Sequence, residues 1–92
     1  MALLSNAEIE GQLVDLHGWA REGDAIVKRY ALASFPEAIE FVRRVADRAE
    51  AANHHPDIAV YYKEVVLTLS THSEGGITQK DLDAARSFDA AL

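Results

Sequence analysis

Two pairs of short β-type runs, each pair joined by a link too short for a crossover, alternate with helical stretches along the chain. Parallel strands need a connection of about a dozen residues or more, so each pair reads as an antiparallel hairpin. From Trp19 to Leu32 the residues alternate better than they spiral, and Glu22, Gly23 and Asp24 interrupt the run at its middle, which suggests two strands and a tight turn. Ile58 to Tyr62 and Val65 to His72 are rich in β-branched and aromatic residues, with Lys63 and Glu64 as the short link. In the second of these runs Val65, Leu67 and Leu69 share one face, and Thr68, Ser70 and His72 share the other.

Three helices surround the hairpins. Ser5 and Glu8 have capping-box spacing, and Ile9, Leu13 and Leu16 form one stripe, so a first helix is expected from about Ser5 to Leu16, ended by Gly18. Ser34 and Glu37 repeat the spacing, Pro36 suits a first helical turn, and Phe35, Ile39, Val42, Ala46 and Ala49 mark the stripe of a longer helix reaching Ala52. Asn53 can leave that helix through a left-handed conformation, and Pro56 biases His55 away from helix, so residues 53–57 form a stiff connection. Gly75 and Gly76 make a loop, Thr78 begins a last helix, and Leu82, Ala85, Phe88 and Leu92 supply its buried side. The order α-β-β-α-β-β-α predicts an α+β fold, a four-stranded antiparallel sheet with three helices on one face. Ninety-two residues give room for one such domain, spanning 1–92.

Composition narrows the chemistry. Nine Lys and Arg against fifteen Asp and Glu leave a formal charge of -6, which disfavours direct contact with nucleic acid. The chain has no cysteine, so disulfides, thiolate metal sites and cysteine nucleophiles are excluded. The run Ala2, Leu3, Leu4 is too short for a secretory signal, and no window approaches a membrane span, so a cytoplasmic protein with no membrane partner is expected.

Three of the four histidines fall outside the expected core: His54 and His55 on the stiff connection, and His72 at a strand end. Each alone reads as a surface histidine, but together they offer groups that exchange protons near neutrality. His17 is left as a helix-end or loop residue. Glu50, four residues before His54, would share its helix face and orient the ring if the helix extends that far. Asp81, three residues after Thr78, reads as a helix cap. Trp19 reads as a core aromatic or as one wall of a flat pocket.

The run Glu50-Ala-Ala-Asn-His54-His55-Pro56, five residues, Tyr62, nine residues, His72, eight residues and Asp81 resembles the signature of pterin-4a-carbinolamine dehydratases. Leu67-Thr-Leu-Ser-Thr-His72, Asp24-Ala-Ile-Val-Lys-Arg and Gly18-Trp19 extend the resemblance over nearly the whole chain from Gly18 onward. It implies a dehydratase that needs no metal or other cofactor and removes water from 4a-hydroxytetrahydrobiopterin to give quinonoid dihydrobiopterin, so that tetrahydrobiopterin can be regenerated. An acid protonates the departing hydroxyl at C4a while a base takes the N5 proton. The resemblance implies acid/base roles for His54 and His72, pterin binding and orientation for His55, and supporting hydrogen bonds from Glu50 and Asp81. Trp19, Ser70 and Thr71 are the candidate substrate contacts. Members of this family form dimers and tetramers, so a homodimer or homotetramer is expected. Two rivals stand beside this reading: a three-histidine zinc site, weakened by the adjacency of His54 and His55, and a non-catalytic dimerisation module or transcriptional coactivator, a role some animal members have.

Overall fold

A computed structural model describes residues 2–92. Helix α1 (Asn6–Leu13) starts at Ser5, whose Oγ accepts from the Glu8 N–H at 3.1 Å while the Glu8 carboxylate accepts from the Ser5 N–H at 2.9 Å. The helix stops three residues short of the expected Leu16. Beyond Leu13 the chain descends in tight turns, Asp15 to Gln12, Leu16 to Leu13 and Trp19 to Leu16, which still deliver Leu16 into the core. Gly18 follows at φ 87, a conformation that costs glycine little.

Strands β1 (Ala20–Glu22) and β2 (Ala25–Ala31) are joined by Gly23 and Asp24. Helix α2 (Phe35–Ala52) is capped by Ser34, whose Oγ accepts from the Glu37 N–H at 3.2 Å. Strands β3 (Asp57–Tyr61) and β4 (Glu64–Leu69) enclose the two-residue turn Tyr62-Lys63, with Tyr62 at φ 57. Both strands start one residue earlier than the apolar runs suggest, because the pairing of Tyr61 with Glu64 fixes the turn. The chain ends in α3 (Gln79–Ala90).

All pairings are antiparallel and the sheet order is β1-β2-β4-β3, so the predicted α+β architecture is the observed one. Ile26 opposite Leu69, and Tyr30 opposite Val65, set a register in which the expected inward set of β4 is wholly buried. Helix α2 covers this face with Ala38, Phe41, Val45 and Ala49, and α3 with Leu82, Ala85 and Phe88. Two expectations about stripes are corrected here. Of the stripe expected on α2, Phe35 and Ile39 face outward, both more than 40% exposed, whereas Val42 packs against the core and Ala49 lies in it beside Ala38, Phe41 and Val45. Leu92 lies past the end of α3 and is exposed, and Ala91 is buried in its place.

Where the C-terminal end of α3 meets the sheet, Asp89 Oδ1 accepts from Trp19 Nε1 at 3.1 Å, Lys28 Nζ at 3.0 Å and Tyr30 Oη at 2.6 Å. Burial, then the Asp89 hydrogen bond and charge, push the Tyr30 phenol well above its ordinary range. Among the described residues, no helix is long and apolar enough to cross a membrane.

Candidate active site

The end of α2 sets the first half of the site. Asn53 takes the left-handed conformation expected of it, φ 50 and ψ 44, and the N–H groups of Asn53 and His54 close on the last carbonyls of the helix. The reversal removes residue 54 from the helical face. Glu50 therefore reaches not His54 but His55, whose Nε2 lies 2.5 Å from Glu50 Oε2 on the exposed side, correcting the i, i+4 pairing expected from spacing. His54 turns the other way, with only 11% of its side chain exposed, and its Nε2 lies 2.6 Å from Asp81 Oδ1.

The end of β4 sets the second half. The strand stops at Leu69, but Thr71 keeps its inward parity and is buried. His72 is not at a strand end; it opens a 3-10 turn, His72–Glu74, closed by Gly75 at φ 74 and clamped by a bridge between Thr71 and Gly76. This turn folds His72 back toward the α2 reversal.

Asp81 joins the two halves. Its side chain is fully buried. One oxygen, Oδ2, accepts from the Thr78 N–H at 3.0 Å and from the Thr71 hydroxyl at 2.8 Å, and the Thr78 hydroxyl in turn contacts Thr71 Oγ1 at 2.8 Å. With Asp81 as a carboxylate, both of its oxygens accept, and the hydrogen in the contact with His54 then lies on Nε2. Nδ1 is left as the nitrogen free to exchange a proton. A carboxylate in this position fixes the tautomer and orientation of the ring, as in other carboxylate–imidazole pairs. Asp81 is a helix cap as expected, and it is also the support of His54.

A cleft of about 250 Å³ opens over these groups, lined by residues 53–55, residues 70–73 and Lys80. His54, His55, His72, Ser70 and Thr71 are brought together there. Trp19 is not: it sits in the core beside Tyr30 and donates to Asp89. The Ser70 hydroxyl is spent on the Asp24 carbonyl at 2.7 Å, and the Thr71 hydroxyl on Asp81, so both side chains build the cleft wall. Sequence reasoning missed Ser73 and Lys80. Lys80 precedes Asp81 in the first turn of α3 and could have been found by asking which neighbours of a cap project to the same side. Among the described residues, no three His, Asp or Glu side chains are grouped so as to hold a metal ion.

A family model described as pterin 4 alpha carbinolamine dehydratase matches residues 2–91. A protein of Roseiflexus castenholzii, provisionally named a pterin-4-alpha-carbinolamine dehydratase, is 56% identical over 91 residues, covering 99% of this chain and 98% of the relative. One of Mycobacteroides abscessus with the same provisional name is 46% identical over 92 residues, covering 100% and 98%. The crystal structure of a transcriptional coactivator/pterin dehydratase from Brucella melitensis superposes with a TM-score of 0.92 at 34% identity, covering 97% of both chains. A pterin dehydratase-like protein described as a RuBisCO assembly factor in the alpha-carboxysome superposes at 0.70 with 26% identity, covering 82% of this chain and 89% of its own.

Proposed function

This chain belongs to the pterin 4 alpha carbinolamine dehydratase family, and from that premise we propose that it dehydrates 4a-hydroxytetrahydrobiopterin to quinonoid dihydrobiopterin and water. The observation that carries the reading is the cleft in which His54, His55 and His72 meet, with His54 held from behind by a buried carboxylate. In the elimination the C4a–O bond breaks, the hydroxyl leaves as water after taking a proton, and the N5–H pair becomes the C4a–N5 double bond as a base removes its proton. No electrons are exchanged with any other group. His54 acts through Nδ1 as the base at N5, and His72 is the acid toward the hydroxyl. His55, steadied by Glu50 on the exposed rim, orients the ring.

A positioned acid or base contributes about 10²- to 10⁴-fold. His54→Ala and His72→Ala each lower turnover by that order while the circular dichroism spectrum stays that of the folded protein. Unchanged rates in both variants would defeat the assignment. Self-association belongs to the same proposal, since β1 and β3 are sheet edges able to pair between copies. Sedimentation then gives a dimer or tetramer.

A second reading, a non-catalytic interaction module, draws on the two solved relatives whose names describe a coactivator and an assembly factor. Under it, simultaneous replacement of His54, His55 and His72 leaves the biological effect of the protein intact.

A further inference from the structure

Thr71 breaks two local expectations. It follows Val65, Leu67 and Leu69 in the inward row of β4 and is itself buried, at a position where valine has the same shape and no polar atom to satisfy. It is also the N-cap of the 3-10 turn His72–Glu74. A threonine there ordinarily accepts from a free N–H of its own turn, yet this side chain makes no such bond. Its hydroxyl points inward and donates to Asp81 Oδ2 at 2.8 Å. The single hydrogen is thereby used, so the Thr78 hydroxyl is the donor in the 2.8 Å contact with Thr71 Oγ1, and Thr78 Oγ1 accepts in turn from the Lys80 N–H at 3.3 Å. The main chain of the same residue holds the turn. The Thr71 N–H donates to the Gly76 carbonyl at 2.8 Å, and the Thr71 carbonyl accepts from the Glu74 N–H at 3.0 Å and the Gly76 N–H at 3.4 Å.

Resting on the dehydratase reading, we propose that Thr71 is a positioning residue that ties the base to the acid: its hydroxyl holds Asp81, and through Asp81 the His54 ring, while its backbone holds the turn that carries His72. The two imidazoles arrive from separate elements, His54 from the reversal after α2 and His72 from the turn after β4. Their spacing therefore depends on bonds that join the two supports, and Thr71 is bonded to both. Without the hydroxyl, Asp81 Oδ2 keeps the Thr78 N–H but loses the donor that comes from the His72 side. The carboxylate then follows α3 alone, and the His54 ring moves with it relative to His72. A misplacement of about 1 Å between reacting groups can cost roughly 10²-fold in rate. The turn itself has no stake in the hydroxyl, since no N–H of residues 72–74 is capped by it.

The test compares dehydration of 4a-hydroxytetrahydrobiopterin by the wild type, Thr71→Val and Thr71→Ser. Valine removes the hydroxyl and keeps the shape; serine keeps the hydroxyl. Thr71→Val is expected to lose about 10- to 10²-fold in kcat with KM within about twofold of the wild type, and Thr71→Ser to recover most of that loss. In NMR spectra the ring-nitrogen signals of His54 move in Thr71→Val and return in Thr71→Ser, while those of His55, held by Glu50 outside this unit, stay in place. A thermal melt shows which variants are folded; where Thr71→Val is not, Thr71→Ala removes the same hydroxyl in a smaller side chain and is assayed instead. Wild-type kcat in a folded variant without the hydroxyl, or a loss that serine does not restore, overturns the inference while dehydration itself persists. A wild type that leaves the substrate unchanged removes the dehydratase reading and this inference together.

Discussion

Asp81 and Asp89 stand eight residues apart on α3, and each gathers three donors. At Asp89 the donors are an indole, an ammonium group and a phenol, side-chain types that hold their hydrogens throughout the neutral range. Each ends its chemistry there, and the cluster fastens the end of α3 to β2 and to the residue before β1. At Asp81 two donors come from a helix cap and its threonine neighbour, but the third is an imidazole with a second nitrogen and an open cleft beside it. The carboxylates are alike; the donors differ. Under the proposed function, the spare imidazole nitrogen beside an open cleft is what would turn an anchor into a proton-transfer site.

Asp81→Asn gives the largest expected effect and attacks that contrast directly. Oδ2 receives two donors, so an asparagine keeps the cap only by placing its carbonyl there, which turns its NH₂ toward His54. The ring must then accept at Nε2 and carry its hydrogen on Nδ1, the wrong tautomer for a base. Turnover is expected to fall roughly 10²- to 10⁴-fold, as when a catalytic imidazole is held in the wrong tautomer elsewhere. Stopped-flow dehydration rates measure this, and chemical exchange of the His54 ring nitrogens by NMR separates a tautomer change from a simple loss of fold. Full activity in a folded Asp81→Asn would make the two ends of α3 equivalent.

Asp89→Ala is the mirror experiment. It leaves the Trp19 indole, the Tyr30 hydroxyl and the Lys28 ammonium without their acceptor, at a cost of about 1–3 kcal/mol. For a domain of this size each kcal/mol lowers Tm by about 4–8 °C. Turnover below the melt stays at the wild-type value, since nothing in the Asp89 cluster lines the cleft. A large loss of turnover here, with little change in Tm, would reverse the roles assigned to the two ends.

The same contrast shows how much could be read from sequence. Periodicity located the four strands and the three α-helices, because a sheet with one buried face sets Val65, Leu67 and Leu69 apart from Thr68 and Ser70, but it carried the last strand on to His72, where the chain makes a 3-10 turn. The second helix was harder. Phe35-Ile39-Val42 and Ala38-Phe41-Val45 are both apolar stripes, and only contact with the sheet decides between them. Asp81 was legible as a cap, since Thr78 stands three residues before it, but its pairing with His54 spans 27 residues and no local spacing encodes it. The nearer partner, Glu50, was misassigned for a local reason: one left-handed residue, Asn53, swings His54 off the helix face. The donors to Asp89 come from residues 59 to 70 positions away, and no motif joins them.

Tyr30→Phe is the smallest of the expected effects and tests whether the Asp89 cluster is purely a structural anchor. Burial and the Asp89 carboxylate raise the phenol in the folded protein above the value of 10.0 it has when free. A raised folded value favours the neutral form in the folded state, so the contribution is fully present below about pH 10 and is lost as pH rises and the unfolded chain ionises while Tyr30 in the folded protein does not. Phenylalanine keeps the ring against Phe41 and removes only the hydroxyl, lowering stability at pH 8 by about 1 kcal/mol. Urea midpoints at pH 8 and pH 11 are therefore expected to lie closer together in Tyr30→Phe than in the wild type. An equally steep alkaline decline in both proteins would place the titrating group elsewhere and leave the Asp89 cluster without a measurable hold on the sheet.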